Sequence, residues 1–112
     1  MKNAAKKQLR EKAKDHKTTM GVLAVTNTTN GKQYIQGSLH LEALMNKMKF
    51  LLNGGMFTNL QLQREWTELG SEAFIFEFVM IVPDQNNEYI NYRKEIQKAE
   101  EAYISGSDAQ LY

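Results

Sequence analysis

The stretch "MGVLAVTNTTNGKQYIQGS", Met20 to Ser38, reads as a β-hairpin and decides how the rest of the chain is read. Two apolar, β-branched runs, Val22 to Thr26 and Gln33 to Ile35, flank a polar loop that ends in Asn30-Gly31. Asn-Gly is a strong short hairpin signal, because both residues tolerate the positive φ that tight turns need. The second strand carries a lone Tyr34, and the first offers Leu23 opposite it. An aromatic hydroxyl over an apolar partner raises the question of whether this hairpin floors an active site.

Downstream, the apolar residues Leu41, Leu44, Met45, Met48, Leu51 and Leu52 form the stripe of an amphipathic helix, stopped by Gly54-Gly55. The segment "TNLQLQREWTELG" predicts a second helix, with Thr58 and Gln61 as a capping box and Gly70 as its stop. Leu62, Trp66 and Leu69 are its expected buried edge. "AFIFEFVMIV" predicts a strand closed by Pro83-Asp84, and a last helix is expected from about Glu88 to Ser105. The expected order is helix, hairpin, helix, helix, strand, helix. This is a small α/β fold with a three-stranded antiparallel sheet, the hairpin plus one later strand, flanked by helices.

At 112 residues the chain is long enough for one core. It has no cysteine, which excludes disulfides and thiolate metal sites. No apolar run approaches the ~20 residues of a membrane span, and no secretory signal is evident, so no membrane partner and a cytoplasmic location are expected. Charge divides the chain in two. Residues 1–17 carry seven basic side chains against Glu11 and Asp15, a formal +5; the chain's +1 then leaves residues 18–112 at −4. The first segment is rich in helix formers, and it is read as an extra basic N-terminal helix ahead of the domain at 18–112. Lys6, Lys7, Arg10 and Lys14 are its candidate phosphate contacts.

The hairpin and the chain beyond it resemble the GIY-YIG nuclease family. Gly21-Val22-Leu23 stands for the first triplet of the family name and Tyr34-Ile35-Gln36 for the second. The similarity runs through Leu62-Gln63, Trp66 and Gly70 and covers roughly residues 20 to 104. It implies a metal-dependent endonuclease ancestry, in which a metal holds the phosphate and a cation meets the developing charge. It also implies a set of site positions. Tyr34 keeps the tyrosine of the second strand, and Glu100 keeps the metal-binding glutamate of the last helix. At the other positions the first-strand tyrosine is Leu23, the arginine is Leu44, the following histidine is Met48 and the later histidine is Phe57. The glycine of the second triplet is Gln36.

Each of the four replaced polar groups is now a large apolar residue. Leu44 and Met48, at i and i+4, point the same way and extend the helix stripe. The sequence therefore predicts a degenerate cleft, with no cofactor, in a domain kept as a nucleic-acid or protein binding module. A surviving Mg²⁺-dependent endonuclease built on Tyr34 and Glu100 is the alternative, with Lys47 or Lys49 standing in for the arginine. A third reading makes Leu23, Leu44, Met48 and Phe57 an apolar ligand pocket or a contact with a partner protein or a second copy. Glu100, beside the last helix's apolar stripe, is expected to be solvated. His16 and His40 lack ligand spacing and read as surface residues.

Overall fold

A computed structural model describes residues 19–112. The N-terminal helix expected for residues 1–17, with Lys6, Lys7, Arg10, Lys14 and His16, lies outside the described residues. Strand β1 (Met20–Asn27) is central in a three-stranded antiparallel sheet of order β2-β1-β3, with β2 at Gln33–Ser38 and β3 at Phe74–Val82. Helix α1 (Leu41–Asn53) and helix α2 (Leu60–Leu69) cover one face, and helix α3 (Tyr92–Gly106) crosses all three strands on the other. No described helix is long and apolar enough to cross a membrane.

Side-chain alternation along β1 sorts the two layers. Leu23 and Val25 point to the α1–α2 side, where they join Leu41, Met48, Leu52, Phe57, Leu62, Trp66 and Phe74 in the core. On β2, Gln33 and Gly37 meet α3, through Tyr103 and through Ile96 and Glu100 respectively. Tyr34 and Gln36 point the opposite way. The hairpin register sets Val25 against Tyr34 and Leu23 against Gln36. Tyr34 and Leu23 are therefore diagonal neighbours, a correction of one residue pair to the expected pairing.

Local chemistry moves several boundaries. The hairpin loop is closed by hydrogen bonds from Gly31 N to Asn27 O (2.8 Å) and from Asn27 N to Lys32 O (2.9 Å). Of the Asn-Gly pair, Gly31 takes a positive φ (76°) and Asn30 does not. Asn30 instead accepts from Lys32 N and donates to Glu65 (2.8 Å), tying the loop to α2. Helix α2 is capped by Asn59, whose side chain accepts from Leu62 N (3.1 Å), so the expected Thr58–Gln61 capping box does not form. Asn91 likewise caps α3 through Lys94 N, which starts that helix four residues later than expected and leaves Tyr89 exposed. Leu69, expected on the buried edge, is also exposed.

Candidate functional site

The expected cleft lies where β2 faces α1 and the loop between α1 and α2. Of the four positions where the resemblance implies polar groups, three are core: Leu23 and Met48 are each 1% exposed and Phe57 is 6% exposed. Leu44 differs. It is half-buried and packs against the rim of that core rather than inside it. At the expected cleft lies a cavity of about 210 Å³ between Tyr34, Gln36, Leu44, Lys47, Met48 and Phe57. Ligand pockets usually occupy about 300–1,000 Å³, so this remnant is small for a ligand.

The retained Tyr34 is engaged at both ends. Its ring stands edge-on to Phe57, with centroids 5.3 Å apart at 80°. Its hydroxyl donates to Gln36 Oε1 at 3.0 Å. Gln36, at the position where the resemblance implies a glycine, is thus the hydrogen-bond partner of Tyr34. Burial first, and then the nearby Glu100 charge, push the Tyr34 hydroxyl above the ordinary phenol range. Both effects oppose the phenolate, so this hydroxyl is a poor proton acceptor at neutral pH.

Glu100 reaches β2 from the opposite layer. Its Oε2 accepts from Gly37 N at 2.9 Å, an interaction across 63 residues of sequence. The carboxylate lines a separate cavity of about 270 Å³ with Gly37, Ser38, Arg93 and Ile96. It is half-buried and bonded to the edge strand, which corrects the solvated position expected from the helix pattern. Gly37 is what permits this approach. A Cβ there would lie 2.4 Å from Ile96 Cγ2 and 3.0 Å from Glu100 Oε2. Glu100→Ala should therefore cost about 1 to 2 kcal/mol, as for loss of a charge-assisted hydrogen bond at a partly exposed site. Chemical denaturation checks this, and a change below about 0.5 kcal/mol would mean that water replaces the carboxylate without loss.

The lysines separate as well. Lys47 borders the remnant cleft, whereas Lys49 holds its ammonium 5.1 Å from the Phe76 ring centroid on another part of the surface. His40 is exposed just before α1. No group of three or more His, Asp or Glu side chains among the described residues could hold a metal ion. A hydrated Mg²⁺ is satisfied with one or two carboxylates when phosphate completes its shell. Glu100 is the one carboxylate at the expected position, and its Oε2 already accepts from the Gly37 amide.

Two further residues, one on each side of the sheet, position these groups without a signal strong enough to assign them from sequence. Gln63 is 8% exposed; its Oε1 accepts from Phe57 N (2.9 Å) and its Nε2 donates to Leu52 O (2.9 Å). It holds Phe57 in the place where the cleft would open. Its neighbour in the "LQ" pair, Leu62, is fully buried, so the pair is structural. Gly37, next to the second triplet, has a partner only once α3 is in place.

Neither a family model nor a curated protein sequence matches the chain. The fold is similar to that of two solved structures. One is the catalytic domain of the homing endonuclease I-TevI, with a TM-score of 0.64 and 20% identity, covering 82% of this chain and 96% of that one. The other is a point-mutant form of the catalytic domain of the intron endonuclease I-TevI, with a TM-score of 0.54 and 22% identity, covering 84% and 99%.

Proposed function

We propose that this GIY-YIG-like α/β domain no longer cuts phosphodiesters and serves as a binding module, holding nucleic acid through its basic N-terminal segment. One observation carries the loss of catalysis. Leu23, Met48 and Phe57 are packed into the core at the positions where the family resemblance implies a tyrosine and two histidines. Loss of one preorganised charge stabiliser commonly lowers a rate by about 10² to 10³. Here the arginine is gone too, and groups that act as a unit fail together.

The binding role is supported by where positive charge is available. The described body is acidic, while residues 1–17 carry the formal +5. That segment joins the body at Thr19, whose N–H and hydroxyl both donate to Glu42 at the start of α1.

The full chain, incubated with single- or double-stranded DNA and Mg²⁺ or Mn²⁺, should give no cleavage. Cleavage that survives purification and disappears in Glu100→Ala would establish the endonuclease instead. Binding should be salt-sensitive, and replacing Lys6, Lys7, Arg10 and Lys14 together by Gln should flatten the dependence of log K on log salt. For single strands the slope changes by about 0.7 for each phosphate no longer neutralised, so the change should reach about 3 if all four side chains engage. An unaltered slope would place the nucleic acid on the body.

A further inference from the structure

A cavity of about 500 Å³ opens between α1 and β3, lined by other residues than the remnant cleft. Its floor is aromatic. The Trp66 ring lies 5.2 Å from Phe74 and 6.0 Å, nearly perpendicular, from Phe76. Met45, Lys49 and Asn53 come from successive turns of α1 on one side, and Ser71 and Glu72 close the other. Asn53 Oδ1 accepts from Trp66 Nε1 at 3.1 Å, which fixes the indole.

The rim carries one charge of each sign, and they are not used on each other. Lys49 and Glu72 are exposed and neither makes a salt bridge with a described residue. Lys49 rests its ammonium on the Phe76 ring, a weak contact at an exposed site that a better anionic partner displaces. An uncharged apolar ligand would cover both charges without pairing either, which is unfavourable. A simple anion or cation would satisfy one of them and leave the other unpaired.

We infer that this cavity binds a small aromatic zwitterion, an aromatic amino acid in its free form. The ligand's ring takes the place of Lys49 on the Phe76 face. Its carboxylate pairs with the Lys49 ammonium and its ammonium pairs with Glu72. A cavity of this volume falls within the ordinary range for small-molecule sites, and an aromatic wall with a few polar groups is their usual lining.

Trp66 is the chain's single tryptophan, so its emission reports on this cavity directly. The full chain is titrated with L-phenylalanine under excitation selective for indole, with calorimetry in parallel. A saturable response is expected, and it should weaken about tenfold or more in Lys49→Ala and in Glu72→Gln. Phenylpropionate, which lacks the ammonium, and phenylalanine amide, which lacks the carboxylate, should each bind correspondingly less well. Both substitutions are at exposed positions, and denaturation curves confirm that each variant is folded. The inference is overturned if neither method detects L-phenylalanine, or if both variants bind it like wild type. Tighter binding of adenosine monophosphate than of L-phenylalanine would also overturn it, in favour of a phosphate-bearing ligand.

Discussion

Gly21→Ala should unfold the domain or come close to it, with an expected loss of about 3 to 5 kcal/mol. Gly21 has a φ of 149°, a conformation that residues with a Cβ rarely adopt. A Cβ at that position would lie 1.9 Å from Met80 O and 2.8 Å from Met80 C. The obstacle is the backbone of β3, and no side-chain rotation removes it. The strain also falls beside the irregularity where the β1–β3 register shifts between Val22 and Leu23. Against a typical total stability of about 5 to 15 kcal/mol, such a loss is decisive. Urea denaturation and thermal melting measure it, and a near-neutral result would show that β1 and β3 are more loosely spaced than the structure has them. Gly37→Ala meets side chains instead, the stiff Cγ2 of buried Ile96 and the more flexible Glu100 carboxylate, and should cost about 1 to 3 kcal/mol.

The second large effect concerns the side chains that the family resemblance implies at these positions. Met48→His should cost about 2 to 4 kcal/mol, because Met48 is 1% exposed among Leu23, Leu52 and Phe57. The imidazole would bring polar nitrogens into a cluster of apolar side chains and forfeit the methionine's packing. Leu44→Arg looks equally severe from the sequence, since Leu44 and Met48 share a helical face. The half-burial of Leu44 beside exposed Lys47 makes it milder, about 1 kcal/mol or less, because a guanidinium there can reach water along its own stem. The two variants compared by urea denaturation should differ clearly, with Met48→His the worse. The reverse order would mean that Leu44, and not Met48, seals the cleft.

The hairpin, the amphipathic stripe of α1 and the aromatic strand β3 could be read from the sequence, because each depends on local periodicity and turn chemistry. The order of the elements from the hairpin onward and the antiparallel sheet came with them. Cap positions were less legible. Thr58 and Asn59 are adjacent and both can cap a helix, and the choice between them depends on how the chain leaves Phe57, which Gln63 fixes from six residues away. The pairing of Tyr34 with Val25 rather than Leu23 depended on the loop, where Asn30 spends its side chain on Lys32 and Glu65. At the site, four apolar replacements were visible as residue types. That Leu44 stays on the rim while Met48 goes inside reflects the angle of α1 over the sheet. Glu100 was the least legible residue. Its partner is a backbone amide on another strand, and the glycine that admits it carries no side chain to signal the contact.

The stability penalty of Met48→His as a function of pH tests most directly whether the expected cleft is closed. A buried imidazole is held neutral, with its pKa below the usual value near 6.5. The unfolded chain then takes up a proton that the folded chain refuses. Relative to wild type, the variant should lose stability as pH falls below about 6.5, by up to about 1.4 kcal/mol per pH unit until the folded imidazole titrates. Urea denaturation of both proteins at about pH 8 and about pH 5.5 gives the comparison, and the penalty should be larger at the lower pH by about 1 kcal/mol. A small penalty, equal at the two pH values, would mean that the introduced histidine sits in water in an open polar cleft, and that the site has not been packed over.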